Sequence, residues 1–170
     1  YSCNGYYWRP QDQSRELVYR PGELGVSLTL AEVIRNCFFG VGTMYRREVF
    51  HSVGGYRVGV FGEDYDFWMR AMAHGARHRY LDRPLALHRI GPSQKTADLD
   101  RVYASDIRLV RELARDFELS AEELAAVKET ISRREILMKR ARESGLRRRL
   151  RDMVTSQSLH GAGIPPLRMI

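Results

Sequence analysis

The segment Phe61-Gly62-Glu63-Asp64-Tyr65-Asp66-Phe67-Trp68-Met69-Arg70 constrains the fold more than any other part of the chain. A glycine-containing loop passes here into a helix, for which Phe67, Trp68, Ala71 and Met72 supply an apolar face and Gly75 a stop. Two adjacent carboxylates, with a third two residues on, fall in the first turn. An acid in that position is held by backbone geometry and faces open backbone N–H groups. Two readings are open. The acids cap the helix, where the macrodipole favours each by ~0.3–1 kcal/mol, or one of them is a positioned base.

The neighbouring segments bear on that choice. Upstream lies the run Asn36-Cys37-Phe38-Phe39-Gly40-Val41-Gly42-Thr43-Met44-Tyr45, followed by Arg46-Arg47-Glu48-Val49-Phe50 and then Val53-Gly54-Gly55-Tyr56. Downstream of the helix come Ala73-His74-Gly75-Ala76 and Arg83-Pro84-Leu85-Ala86-Leu87-His88-Arg89. In this order and spacing the chain resembles the C-terminal, acceptor-side half of family 2 inverting glycosyltransferases of the GT-A fold, over residues 1 to about 95. No single element is specific; the succession carries the likeness.

The resemblance implies an α/β chain, a partial GT-A domain followed by α-helices. It implies a nucleotide-diphosphate sugar donor, a glycan or lipid-linked hydroxyl acceptor, and a divalent cation (Mg or Mn). Family members begin with a βαβ nucleotide-binding half that ends in an acidic D-x-D-type metal motif. That half is not recognisable here. Asp64-Tyr65-Asp66 has the spacing but lies in the helical motif, and Tyr1-Ser2-Cys3-Asn4-Gly5 is similar to the strand that follows the metal motif. The expectation is a fragment or one half of a split protein, inactive alone, with the acidic metal ligands outside this chain.

Motif matching places the family's base on Asp64, with Glu63 orienting the acceptor or holding the loop. Adjacent acids tend to raise one another's pKa, which suits a base. Arg89 matches a recurrent arginine near the donor diphosphate, and His88 beside it is a further substrate-binding candidate. The family's usual histidine is replaced by Gly91, so His88 would serve as a metal ligand only through a shift of register. Trp68 could stack on a sugar ring or belong to the core. Asp66 and Arg70, four apart, read as an ion pair contributing ~0.3–0.5 kcal/mol if exposed.

With 44% hydrophobic and 29% charged residues the composition is that of an ordinary globular chain. Cys3 and Cys37 have neither metal-ligand spacing nor a paired framework, which points to reduced thiols and a cytoplasmic setting. The net charge of +7 is uneven. Residues 133–152 hold Arg133, Arg134, Lys139, Arg140, Arg142, Arg147, Arg148, Arg149 and Arg151 against Glu135, Glu143 and Asp152, while the remainder is nearly balanced. This supports a rival reading from another class: a non-catalytic module whose basic helices meet an anionic membrane surface or, less favoured, nucleic acid.

Three regions are expected: the acceptor-side half over 1–97, a helical extension over 98–155 and a disordered tail over 156–170. Within the first, strands are expected over 1–8, 37–45, 77–81 and 85–89, the last two flanking a turn at Arg83-Pro84. Residues 9–25 read as a turn-rich connection. Helices are expected over 30–35, where Thr29-Leu30-Ala31-Glu32 has capping-box spacing, over 46–53 and over 64–74. In the extension, Leu99, Val102, Leu109, Leu113, Leu124, Val127 and Ile131 are expected to pack while the arginine cluster stays exposed. Ser120-Ala121-Glu122-Glu123 is a second capping-box candidate, and a break is expected near Ser144-Gly145.

Overall fold

A computed structural model describes residues 1–37, 42–91 and 94–161, with side chains described through Glu143. The element order is β1 (Ser2–Arg9), β2 (Ser14–Leu17), α1 (Leu30–Arg35), α2 (Arg47–Ser52), α3 (Glu63–Ala73), β3 (Tyr80–Arg89), a 3₁₀ turn at Lys95–Ala97, α4 (Leu99–Asp116) and α5 (Ala121–Gly161). It is a mixed α/β structure: a small three-stranded sheet, order β2-β1-β3, set beside helices.

β1 and β2 form an antiparallel hairpin, with Tyr6 opposite Leu17 and Arg9 opposite Ser14. The polar stretch after Arg9 therefore contains a strand that its composition conceals. β1 and β3 run parallel, from Ser2 opposite Tyr80 to Trp8 opposite Arg89. Two short strands with a turn at Arg83-Pro84 were the expectation, yet β3 is one strand that passes through Pro84. The irregularity is absorbed as register shifts on both sides of Asn4, the partner of Pro84, where the proline has no N–H to offer. Buried Asn4 supplies substitute bonds there. Its Oδ1 accepts from the backbone N–H of Gly5 at 2.9 Å and of Tyr19 at 3.2 Å. Its Nδ2 donates to the Tyr19 carbonyl at 2.9 Å and to Asp82 at 3.1 Å. Glycine follows because a Cβ at position 5 would lie 2.9 Å from the Ala86 carbonyl oxygen.

The strand expected over 37–45 is absent from residues 42–45; Phe38 to Val41 lie outside the described residues. α1 begins as expected, Thr29 Oγ1 accepting from the Glu32 N–H at 3.2 Å while the Glu32 carboxylate accepts from the Thr29 N–H at 2.6 Å. The same reciprocal cap opens α5 at Ser120 and Glu123. Val33, Ile34, Phe67, Met69, Leu109, Val110 and Ala126 are the inner members of a core shared by α1, α3, α4 and α5. Burying the larger of these side chains contributes roughly 1.5–3 kcal/mol each.

α5 does more than cover this core. Its Thr130 hydroxyl donates to the Ile34 carbonyl at 3.0 Å, an acceptor shared with the Tyr65 hydroxyl. Arg133 donates to the Arg35 carbonyl, and Arg35 pairs with Glu129 at 2.8 Å. Arg134 pairs with Asp106 at 2.8 Å and is largely buried. The first two arginines of the basic segment are thus structural, contrary to the expectation of full exposure. Leu109, Leu113 and Val127 are buried as expected, whereas Leu99 and Leu124 are exposed. α5 runs on through Ser144-Gly145 without a break and reaches Gly161, inside the region expected to be an irregular tail. Among the described residues no helix is long and apolar enough to cross a membrane.

Candidate functional site

α3 starts at Gly62, which takes a left-handed conformation with φ 78°. A side chain is strained in that region, so glycine is the residue that lets the loop turn directly into the helix. Gly62 has no side chain to cap the helix; Glu63, Asp64 and Asp66 stand in its first turn, where the helix dipole favours negative charge. The loop is tied to α4 by the Ser105 hydroxyl, which donates to the Phe61 carbonyl at 2.5 Å.

The three acids have different partners. Asp66 is buried and receives two guanidinium groups: Arg57 Nε at 3.0 Å, and Arg70 through Nε at 3.0 Å and Nη2 at 2.8 Å. Arg57 also reaches Glu112 on α4 at 2.8 Å. Arg70 donates onward to the carbonyls of Val53 and Gly55. The expected Asp66–Arg70 pair is present, but it is buried and part of a network that fastens the Val53–Arg57 loop to α3.

Glu63 pairs with Lys95 at 2.6 Å. The bond to Lys95 holds the Glu63 carboxyl below the usual carboxylate range, opposite to the mutual raising expected of neighbouring acids. The Lys95 ammonium also lies 4.9 Å from the centre of the Phe61 ring, and Arg101 lies 4.5 Å from it. Asp64 is exposed. Its carboxylate accepts from the adjacent Tyr65 N–H at 2.8 Å, and among the described residues no cation pairs with it. Tyr56 lies within electrostatic reach of both acids; burial first, then the Tyr45 hydroxyl and the charges of Asp64 and Glu63, push its phenol up to about 12.

The end of β3 is linked to this turn. His88 packs edge-on against Tyr7 at 5.6 Å and lies 3.2 Å from Gln94 Nε2, which also donates to the Arg89 carbonyl at 2.8 Å. The next residue, Lys95, holds Glu63. Gln94 and Lys95 therefore join the two segments that carry His88, Arg89, Glu63 and Asp64. Neither residue stands in a recognisable motif, and only the folded chain reveals their place. The Arg89 side chain is exposed, with no ion pair among the described residues.

Trp68 is 7% exposed and packs edge-on against Tyr45 and Phe67. It nonetheless reaches the wall of a cavity of about 830 Å³, together with Ala71 and Met72 of α3. Asp64, Trp68 and Met72 recur every four residues and so share one face of the helix. Glu63, Asp64, His88 and Arg89 do not line the cavity. Among the described residues, no group of three or more His, Cys, Asp or Glu side chains is arranged to hold a metal ion. The described residues do not form a site for the divalent cation that the sequence resemblance implies.

Residues 24–155 match the family model described as "Glycosyl transferase family group 2". The match takes in the acid-bearing turn, β3, α4 and most of α5. No curated protein and no solved structure gives a match to the chain.

Proposed function

The chain belongs to the glycosyl transferase family group 2, and on that premise we propose that it forms the acceptor side of an inverting sugar transfer with Asp64 as general base. The acceptor hydroxyl oxygen attacks the anomeric carbon of a nucleotide-diphosphate sugar from the face opposite the leaving group. The new C–O bond forms as the bond to the diphosphate breaks. The hydroxyl proton passes to the Asp64 carboxylate, and the nucleoside diphosphate departs. Acceptors of this chemistry are glycans or lipid-linked hydroxyl compounds.

What supports the choice of Asp64 is the sorting of the three acids. Asp66 is committed to two arginines and Glu63 to Lys95, whereas the Asp64 carboxylate keeps an exposed face with only a backbone N–H against it. A general base must be free to take a proton and to approach the acceptor. The Glu63–Lys95 pair serves to fix the turn. Arg89, linked through Gln94 to that turn, is the candidate to meet the leaving diphosphate, because a planar guanidinium can bond two phosphate oxygens at once. Family 2 transferases commonly use a divalent cation.

The test is Asp64→Asn in the complete transferase, assayed for sugar transfer and for donor binding. The amide cannot accept the proton, so transfer is expected to fall by ~10²–10⁴-fold while donor binding persists. Unchanged turnover would remove Asp64 from the mechanism.

A further inference from the structure

The cavity beside α3 has features that the transfer chemistry does not use. Leu28, Val49, Trp68, Ala71 and Met72 contribute apolar surface to its wall. Arg46, Arg77 and Arg79 also line it, all three exposed, and no aspartate or glutamate does. Elsewhere some arginines are paired, Arg35, Arg57, Arg70, Arg134 and Arg142 each having a carboxylate within 4.0 Å, and others, such as Arg89, are not. Among the described residues, Arg46, Arg77 and Arg79 have none. His78 at the wall adds no positive charge. Its Nδ1 accepts from the Leu28 N–H at 3.1 Å, its Nε2 meets the Ser2 hydroxyl at 2.7 Å, and burial lowers its pKa to about 4.

We propose that this cavity binds an amphiphilic anion, a phosphate head carried on an apolar chain or ring. About 830 Å³ lies within the range of small-molecule sites, which are typically concave and apolar with a few placed polar groups. Three guanidinium groups with no carboxylate within 4.0 Å among the described residues raise the local positive potential and favour phosphate oxygens in particular. A free phosphate would leave the apolar side chains of the wall unused, and a neutral lipid would leave the guanidinium groups without a partner. The site requires no turnover and does not contain Asp64, so it stands or falls separately from the proposed transfer reaction.

The experiment is titration calorimetry on the full chain with dodecyl phosphate below its micelle concentration, alongside inorganic phosphate and the neutral detergent dodecyl maltoside. Dodecyl phosphate is expected to bind at least tenfold more tightly than either of the others. The double variant R77Q/R79Q, whose altered positions are exposed, should retain the parent circular dichroism spectrum and lose at least tenfold in affinity. Val49→Glu, which places a carboxylate at the cavity wall, should weaken binding similarly. Equal affinity of parent and R77Q/R79Q would overturn the site, and so would inorganic phosphate or the neutral detergent matching dodecyl phosphate. Association that requires phosphatidylglycerol vesicles and fails with the monomeric amphiphile would assign the arginines to a membrane surface and also overturn it.

Discussion

Asp64 and Asp66 are separated by one residue, carry the same functional group and face opposite environments. Substituting them should separate function from stability. Asp64→Asn changes an exposed side chain and is expected to alter unfolding free energy by no more than ~0.5 kcal/mol. Asp66→Asn leaves Arg57 and Arg70 without their shared counter-charge in a largely buried setting, and a loss of about 3 kcal/mol is expected. Chemical denaturation of the two variants measures both, and similar stabilities would refute the network's role. His78 gives a pH signature at the same scale. Burial lowers its folded pKa to about 4 against an ordinary 6.5. Between those values the unfolded chain binds the extra proton and the folded chain does not. Stability should therefore fall as pH drops from about 6.5 towards 4, by up to ~2 kcal/mol at pH 5. The slope of unfolding free energy against pH should flatten over this window in His78→Gln; parallel slopes would exclude His78 as its source.

At the scale of elements, the carbonyl end of α1 shows how separate segments of the chain are fastened together. The Ile34 carbonyl accepts from both Tyr65 on α3 and Thr130 on α5. Removing one donor leaves the other in place, so Tyr65→Phe and Thr130→Val should each cost about 1 kcal/mol. The double variant leaves a buried carbonyl without a partner and should cost more than the sum of the two. A double-mutant cycle in chemical denaturation reads the difference, and strict additivity would show that the bonds act independently. Thr29-Leu30-Ala31-Glu32 and Ser120-Ala121-Glu122-Glu123 both reveal their helix starts because a cap is a local device four residues long. β2 is concealed because three of its four residues, Ser14–Leu17, are polar and the strand is held by pairing to β1. Pro84 suggested an interruption that β3 does not have, since the compensating bonds come from Asn4, about eighty residues earlier.

For the whole molecule, the basic segment is divided between roles. Arg133 and Arg134 bond to α1 and α4; the side chains of Arg147, Arg148 and Arg149 lie outside the described residues. If the membrane-surface reading applies to them, replacing these three by Gln should weaken binding to anionic vesicles by ~1 kcal/mol per charge and leave the fold intact. Vesicle co-sedimentation at low salt measures this, and parent-like binding by the triple variant would end that reading. What the sequence by itself determined was local or periodic: helices α1 to α3 to within a residue or so, both capping boxes, the apolar stripe of α3, and the motif order that places Asp64 among the acids of one turn. Such features are carried by neighbouring residues or by a repeat of 3.6. Only the tertiary structure decided which acid is free, because that depends on Arg57 and Lys95, whose side chains arrive from separate parts of the chain. It also decided that Arg46, Arg77 and Arg79 border one apolar cavity. Spacing along a chain sets which residues share a face, while long-range packing sets which charges find a partner.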